Sequence, residues 1–428
     1  MARDNVGERE QQLLDLAARV LPGGSTGNII SMDTVIARGS GPRVWDVSGN
    51  EYIDYVLGSG PMLIGHAHPR VVEAVEEQLS RGTTYFGLNE HALLLAEEII
   101  RAVPCAERVR FASSGAEATF YAMRVARAYR GRDKVLKFEG GFHGTHDHAM
   151  MSVTPTADSL RSFPEPAPDG LGIPASAAGD MLVAPFNDIE TASAIIERYH
   201  DELAGVIVEP LQRTFAPVPG FLEGVRDVCT QYGVPLIFDE IVTGFRFAYG
   251  GAQEYYGVTP DLCALGKTVA GGFPLSAIAG RAEIMDYFAP APGRDAYVAQ
   301  QGTLNGNPVA AVAGLATLEV LREPGTYERL FATGARLKTA LEDLLRQAEI
   351  PAHVLGDAPM FDVVFAEHPV EDYRAALDRD HAKLLRFNSL LRARGIYKNH
   401  TKYYVSTVHG EREVEETIEA WKSALEEL

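Results

Sequence analysis

Short apolar runs alternate with helical stretches through the middle of this chain, and that alternation constrains the fold more than any other feature. Val109–Phe111, Lys134–Phe138, Val206–Val208 and Pro235–Phe238 read as strands, and a helix is predicted from Ser114 to Arg130. Such a pattern gives an α/β fold, a mainly parallel sheet with helices on both faces. The chain ends read differently. Leu13, Leu14, Ala17, Ala18 and Leu21 share one helical face, closed by Pro22-Gly23-Gly24. Residues 43–57 alternate around Ser48-Gly49-Asn50 like a hairpin, and a turn-rich passage leads to a helix near 70–80. The stretch 152–180 is rich in Ser, Pro, Ala and Gly and reads as a long excursion. Amphipathic helices are predicted at 309–322 and 326–347, strands near 352–365 and 403–408, and a last helix from 411. The expected organisation is an N-terminal arm (1–65), a large domain (66–310) and a C-terminal small domain (311–428) that packs with the arm.

With 428 residues, 46% of them hydrophobic, the chain can bury a sizeable core. Its net charge of −19, with no basic run, argues against nucleic acid or an anionic membrane as partner. No apolar stretch approaches the ~20 residues of a membrane span. Cys105, Cys229 and Cys263 form no CxxC pair and no Cys/His ligand spacing, so neither a disulfide framework nor a metal site is expected. The first residues lack an apolar signal core, and the expected location is the cytoplasm.

Four segments carry chemistry. Ser113-Ser114-Gly115-Ala116-Glu117 lies between a strand and a helix, and Ser114 with Glu117 fits a capping box. Free amides at such a helix start suit a phosphate, although capping alone also accounts for the pattern. Phe138–Gly144 (FEGGFHG) presents Phe142 and His143 from a glycine turn, where an aromatic either stacks on a planar ligand or packs the loop. Asp239 and Glu240 follow an apolar strand, the end at which open parallel sheets bind ligands; an acidic helix start or a salt bridge is the alternative. Lysine is scarce, 8 residues against 31 arginines, and Lys267 is the only one between Lys137 and Lys338. It lies among small and apolar residues, where desolvation makes an amine nucleophilic towards carbonyls; a solvated surface lysine is the alternative.

A phosphate cup, an aromatic platform, a carboxylate for a ring nitrogen and an amine for an aldehyde are what pyridoxal 5'-phosphate needs. The sequence also lacks GxGxxG opening a helix after a first strand, and it has no Walker motif.

The passages YIDYVLGSGPMLIGHAHP (52–69), ASSGAEAT (112–119), VEP (208–210), LIFDEIVTGFR (236–246), GGAQEYYGVTPDLCALGKTVAGGFPLSAIAGR (250–281) and GTLNGNP (302–308) carry a family likeness. In them the chain resembles the class III (subgroup II) aminotransferases, fold type I pyridoxal-phosphate enzymes, including the glutamate-1-semialdehyde 2,1-aminomutases and their aminotransferase relatives. The resemblance implies a large, mainly parallel seven-stranded sheet domain and a smaller α+β domain from the chain ends. It implies that Lys267 holds the cofactor aldehyde and that Asp239 pairs with the pyridine nitrogen. Phe142 stacks on the ring, with His143 following it. Ser114, Gly115 and Ala116 hold the phosphate with Thr303 of a second subunit, and Glu209 stands behind the site. A homodimer with a shared active site acting on small amine and keto substrates follows.

The chain departs from the aminomutase pattern. Ile30 falls where those enzymes place a carboxylate-binding arginine, Ser59 where they place a tryptophan, and Val242 where relatives have methionine or glutamine. Leu211-Gln212-Arg213-Thr214-Phe215 replaces a glycine-rich turn, and Arg213 is a candidate carboxylate anchor or a loop-surface arginine. Arg246 reads as structural. The expected activity is a ping-pong aminotransferase, with an aminomutase or an amino acid epimerase as the alternative.

Overall fold

Seven strands of the sheet can be followed in the computed structural model, which describes residues 6–27, 34–398 and 402–428. They are β1 (Arg108–Ala112), β2 (Lys134–Phe138), β3 (Met181–Ala184), β4 (Leu203–Val208), β5 (Leu236–Glu240), β6 (Leu262–Leu265) and β7 (Ser276–Gly280). Their spatial order is β1-β7-β6-β5-β4-β2-β3. β7 runs antiparallel to both neighbours, and the other pairings are parallel. Every residue of β4, β5, β6 and β7 is buried, as expected for central strands covered on both faces. β3, β6 and β7 escape the strand reading of the sequence. MLVA and LCAL are only four residues long, and SAIAG is built from residues that favour strands weakly.

The helix Gly115–Arg130 packs on β4, β6 and β7. Its buried face includes Ala118, Ala122 and Ala126, small enough to let the helix axis come close to the sheet. Gly131 ends it in the left-handed conformation at φ 61°. The helix Pro308–Leu321 is not amphipathic: its buried residues lie all round it, against the helix Glu90–Ala102 and the turn Lys267–Ala270. Gly314 permits the second contact, since a Cβ there would stand 2.2 Å from the Val269 carbonyl oxygen.

The chain divides into two compact units. The larger is Arg70–Glu323 with Glu371–Leu377; the smaller is Met1–Pro69, Pro324–Val370 and Asp378–Leu428. The boundaries thus fall at 69/70 and 323/324, where the sequence reading sets 65/66 and 310/311. The helix Pro308–Leu321 accounts for the second difference, because it packs within the sheet unit. The smaller unit knits both chain ends together. Ile36–Ser40, Arg43–Asp46 and Glu51–Asp54 form an antiparallel meander, and Ile396–Tyr397 adds to its edge in parallel. His353–Asp357, Met360–Val364 and Tyr403–Tyr404 form a second sheet. Arg43 pairs with Glu413 at 2.9 Å, and Tyr55 Oη meets Thr417 Oγ1 at 2.9 Å, tying the meander to the last helix. Among the described residues no helix is long and apolar enough to cross a membrane.

Candidate active site

Parallel strands deliver their carboxyl ends to one edge of the sheet, and the four chemistry-bearing segments emerge there. β5 is central. Asp239 is its penultimate residue, 5% exposed, and accepts from the Ile241 amide at 3.1 Å. Side chains alternate along a strand, so Glu240 points the other way. Its carboxylate accepts from the Ala252 amide (2.6 Å), Gln253 Nε2 (2.8 Å) and Thr243 Oγ1 (3.1 Å), and burial raises its pKa. Of the two acids in the sequence motif, Glu240 is a structural staple.

Asp239 meets His143, whose Nδ1 lies 2.8 Å from Oδ2. Burial pushes His143 down to about 3, so the imidazole is neutral and Nδ1–H donates to the carboxylate. His143 Nε2 has no partner among the described residues. The loop carrying His143 is fixed from beneath. The fully buried Lys137 donates from Nζ to the carbonyls of Gly141 (2.9 Å), Ala149 (3.0 Å) and Met151 (2.5 Å). Glu209, just past β4, accepts from the Phe142 amide at 2.7 Å and reaches the Arg213 amide at 3.5 Å. One carboxylate therefore ties the Phe142 loop to the Arg213 loop. The Arg213 guanidinium lies 5.1 Å over the Phe142 ring and donates from Nε to the Gly140 carbonyl at 3.3 Å.

The helix start lies beside these loops. Ser114 is the N-cap, its Oγ accepting from the Glu117 amide at 3.3 Å. The Glu117 side chain returns to the Ser113 amide at 2.7 Å, one residue earlier than the predicted box requires. The first intrahelical bond runs from the Ala118 amide to the Ser114 carbonyl, so the Gly115 and Ala116 amides precede the ladder. Close approaches bring the segments together. A Cβ on Gly144 would stand 2.6 Å from Ala116 Cα, and the Ile241 side chain lies within 3.1 Å of a Cβ built on either Gly115 or Gly266. Ile241 thus touches both the helix start and the approach to Lys267.

Lys267 lies two residues beyond β6, beside β5 through the pairings Asp239↔Ala264 and Glu240↔Leu265. It is half-buried and holds φ 52°, a rare conformation for a side-chain-bearing residue. Thr303 is exposed in the turn before Asn307, and Asn305 from the same turn reaches Ser113 Oγ at 3.4 Å. Ser59 is exposed with φ 69° in the smaller unit. Val242 is half-buried, Arg246 is fully buried, and Ile30 lies outside the described residues.

Sequence reasoning missed several supports. Lys137 gave no signal beyond lysine scarcity. Ser276 Oγ donates to the Ser114 carbonyl at 2.7 Å, and Arg374 pairs with the buried Glu139 at 2.6 Å from a distant segment. Among the described residues no cluster of His, Cys, Asp or Glu is arranged to hold a metal ion.

These donors fit one group well. Helix-start amides suit a phosphate, a hydrogen-bonded carboxylate at a strand end suits a ring nitrogen, and an amine one strand away suits an aldehyde. Fold and site together define a fold type I pyridoxal-phosphate enzyme. A sequence profile described as aminotransferase class-III matches residues 27–402, and the chain belongs to that family. It is 42% identical over 429 residues to a glutamate-1-semialdehyde 2,1-aminomutase of Methanothermobacter thermautotrophicus, covering 98% of this chain and 99% of that protein. An omega-transaminase from Sphaerobacter thermophilus superposes with a TM-score of 0.92 at 37% identity, covering 99% of this chain and 98% of that one. A transaminase with PLP bound does so with a TM-score of 0.90 at 30% identity and the same coverage. Pyridoxal 5'-phosphate is the cofactor. The curated relatives favour the aminomutase alternative over the aminotransferase reading.

Proposed function

We propose that this chain moves an amino group between carbon atoms, with Lys267, Asp239, Phe142, His143, Glu209 and the Ser114–Ala116 helix start forming the cofactor site. The observation that carries the reading is the convergence of the helix start, the His143–Asp239 pair and the Lys267 turn at one sheet edge. When bound, the cofactor supplies an electron sink for charge developing at the amine-bearing carbon of the substrate. Asp239, hydrogen-bonded by His143 Nδ1 at 2.8 Å, would pair with the ring nitrogen and favour its protonated form. Phe142 covers the ring. Lys267 Nζ would hold the cofactor aldehyde and, once free, would carry a proton between the substrate carbon and the cofactor carbon that bore the aldehyde.

Two fates of the amino group are open to this machinery. The curated relatives support its return to a neighbouring carbon of the same molecule, as in an aminomutase. The sequence departures support its delivery to a second molecule, as in an aminotransferase: Ile30 and Ser59 fall where the resemblance to the aminomutases implies a carboxylate-binding arginine and a tryptophan. A donor panel run without acceptor separates the two. Stoichiometric amine-form cofactor with released ketone or aldehyde marks an aminotransferase; rearranged product with no net ketone marks an aminomutase. Lys267→Ala is expected to abolish the borohydride-trapped cofactor adduct, and an adduct that survives would place the aldehyde on another amine.

A homodimer is part of this reading. Phe86 (77% exposed), Leu88 (88%), Leu93 (54%) and Leu94 (43%), close together in sequence, leave apolar side chains open on the larger unit, which supports burial against a second copy. In that arrangement Thr303 of one copy serves the phosphate of the other. The three cysteines are free and buried, which supports a cytoplasmic location.

A further inference from the structure

We propose that Arg213 receives the carboxylate of the substrate, so that the substrate is an amino acid or amino-aldehyde acid and not a simple amine. The inference rests on the amino-transfer reading and names the substrate class for it.

Three observations carry it. The first is an unused charge. A guanidinium offers five N–H donors, and Arg213 spends only Nε, on the Gly140 carbonyl at 3.3 Å. Among the described residues no carboxylate lies within ion-pair distance of it, although the site unit pairs Arg374 with Glu139 at 2.6 Å and Arg226 with Asp261 at 2.7 Å. The Glu209 carboxylate nearby is engaged by backbone amides of Phe142 and Arg213.

The second observation is orientation. The guanidinium lies over the Phe142 ring at 5.1 Å and is tethered at Nε, which leaves the terminal nitrogens as the unengaged edge of the fork. That edge grips a carboxylate through two parallel bonds, which an ammonium cannot do. The third is the backbone. Arg213 holds φ 60° in the turn closed by the Gln212–Phe215 bridge, a conformation that is costly for a residue with a side chain. The same Glu209 that positions Phe142 also touches the Arg213 amide, so the platform and the guanidinium are set by one group.

The test uses the holoenzyme and its Arg213→Gln and Arg213→Lys variants. Calorimetry with 4-phenylbutyrate and 4-phenylbutanamide is expected to show the carboxylate weakened about 10–100-fold by Arg213→Gln relative to the amide, with partial recovery in Arg213→Lys. Single-turnover rates follow the same split. The ratio of kcat/KM for 3-amino-3-phenylpropionate over 1-phenylethylamine is expected to fall by a similar factor. Circular dichroism and the cofactor band check that each variant is folded and loaded. Equal losses for acid and amide, or none for either, overturn the proposal. Carboxylate binding that depends on Arg213 in an enzyme that transfers no amino group would uphold the anchor and sink the functional reading. Amino transfer with no carboxylate binding by the wild type would do the reverse.

Discussion

Lys137 is fully buried beneath the loop that carries Phe142 and His143, and its titration makes stability depend on pH. An ammonium has three hydrogens, and here they meet three backbone carbonyls of one loop. Burial nevertheless pulls its pKa from 10.5 down to about 7, against the opposing pull of Asp169 and Glu209. The folded state therefore binds this proton more weakly than the unfolded chain does. Between about pH 7 and 10.5 the unfolded chain carries more protons at this site, so the contribution to stability rises with pH and is flat below that window. Lys137→Met removes the titration. The stability of wild type relative to Lys137→Met is expected to climb from pH 7 to 9 by up to about 1.4 kcal/mol per pH unit. Urea midpoints at pH 7, 8 and 9 check this, and a constant difference would contradict it. At this scale the sequence showed residue types well and directions poorly. The motif alone did not separate Asp239 from Glu240; the family resemblance named Asp239, and the strand's alternation turns the buried Glu240 to Ala252 and Gln253. Lys137 was invisible because its partners are carbonyls, which every residue has.

Helix Pro308–Leu321 shows how an element far along the chain supports the turn that begins at Lys267. Its Gly314 lets the turn after Lys267 rest directly on the helix backbone. Gly314→Ala is expected to lower thermal stability, with overpacking costing about 1–3 kcal/mol, and to speed cofactor loss because the displaced segment begins at Lys267. Gly179→Ala is the control, since a Cβ there meets nothing within 4 Å. Melting curves and the decay of the cofactor band on dilution measure both. Strands such as Lys134–Phe138 were readable because their apolar runs end in sharp turn signals. β7 was not, because Ser276–Gly280 owes its place to neighbours on both sides and not to its own residues.

For the whole molecule, the exposed apolar side chains of Phe86 and Leu88 are the feature that a single chain leaves unexplained. Replacing both by glutamate is expected to shift the particle from dimer to monomer in light scattering and to weaken cofactor retention through loss of the neighbouring Thr303. A wild type that is already monomeric would refute the shared-site arrangement. The cofactor was legible from sequence because its demands fall on side chains at strand ends. The substrate was not: Arg213 stood out by residue type as a candidate anchor or a loop-surface arginine, and its φ of 60° is a backbone conformation no local pattern announces.

The reversed strand carries a kinetic consequence. β6, the Lys267 turn and β7 are neighbours in sequence and can associate early, whereas β1 must find β7 across most of the larger unit. The Ser276–Ser114 bond spans 162 positions and forms only when that pairing closes. Until then the Lys267 turn lacks the Ser114 helix start that we propose as the phosphate cup. Tight retention of the cofactor during refolding therefore reports the longest-range pairing of the sheet, and it should lag the recovery of helical signal.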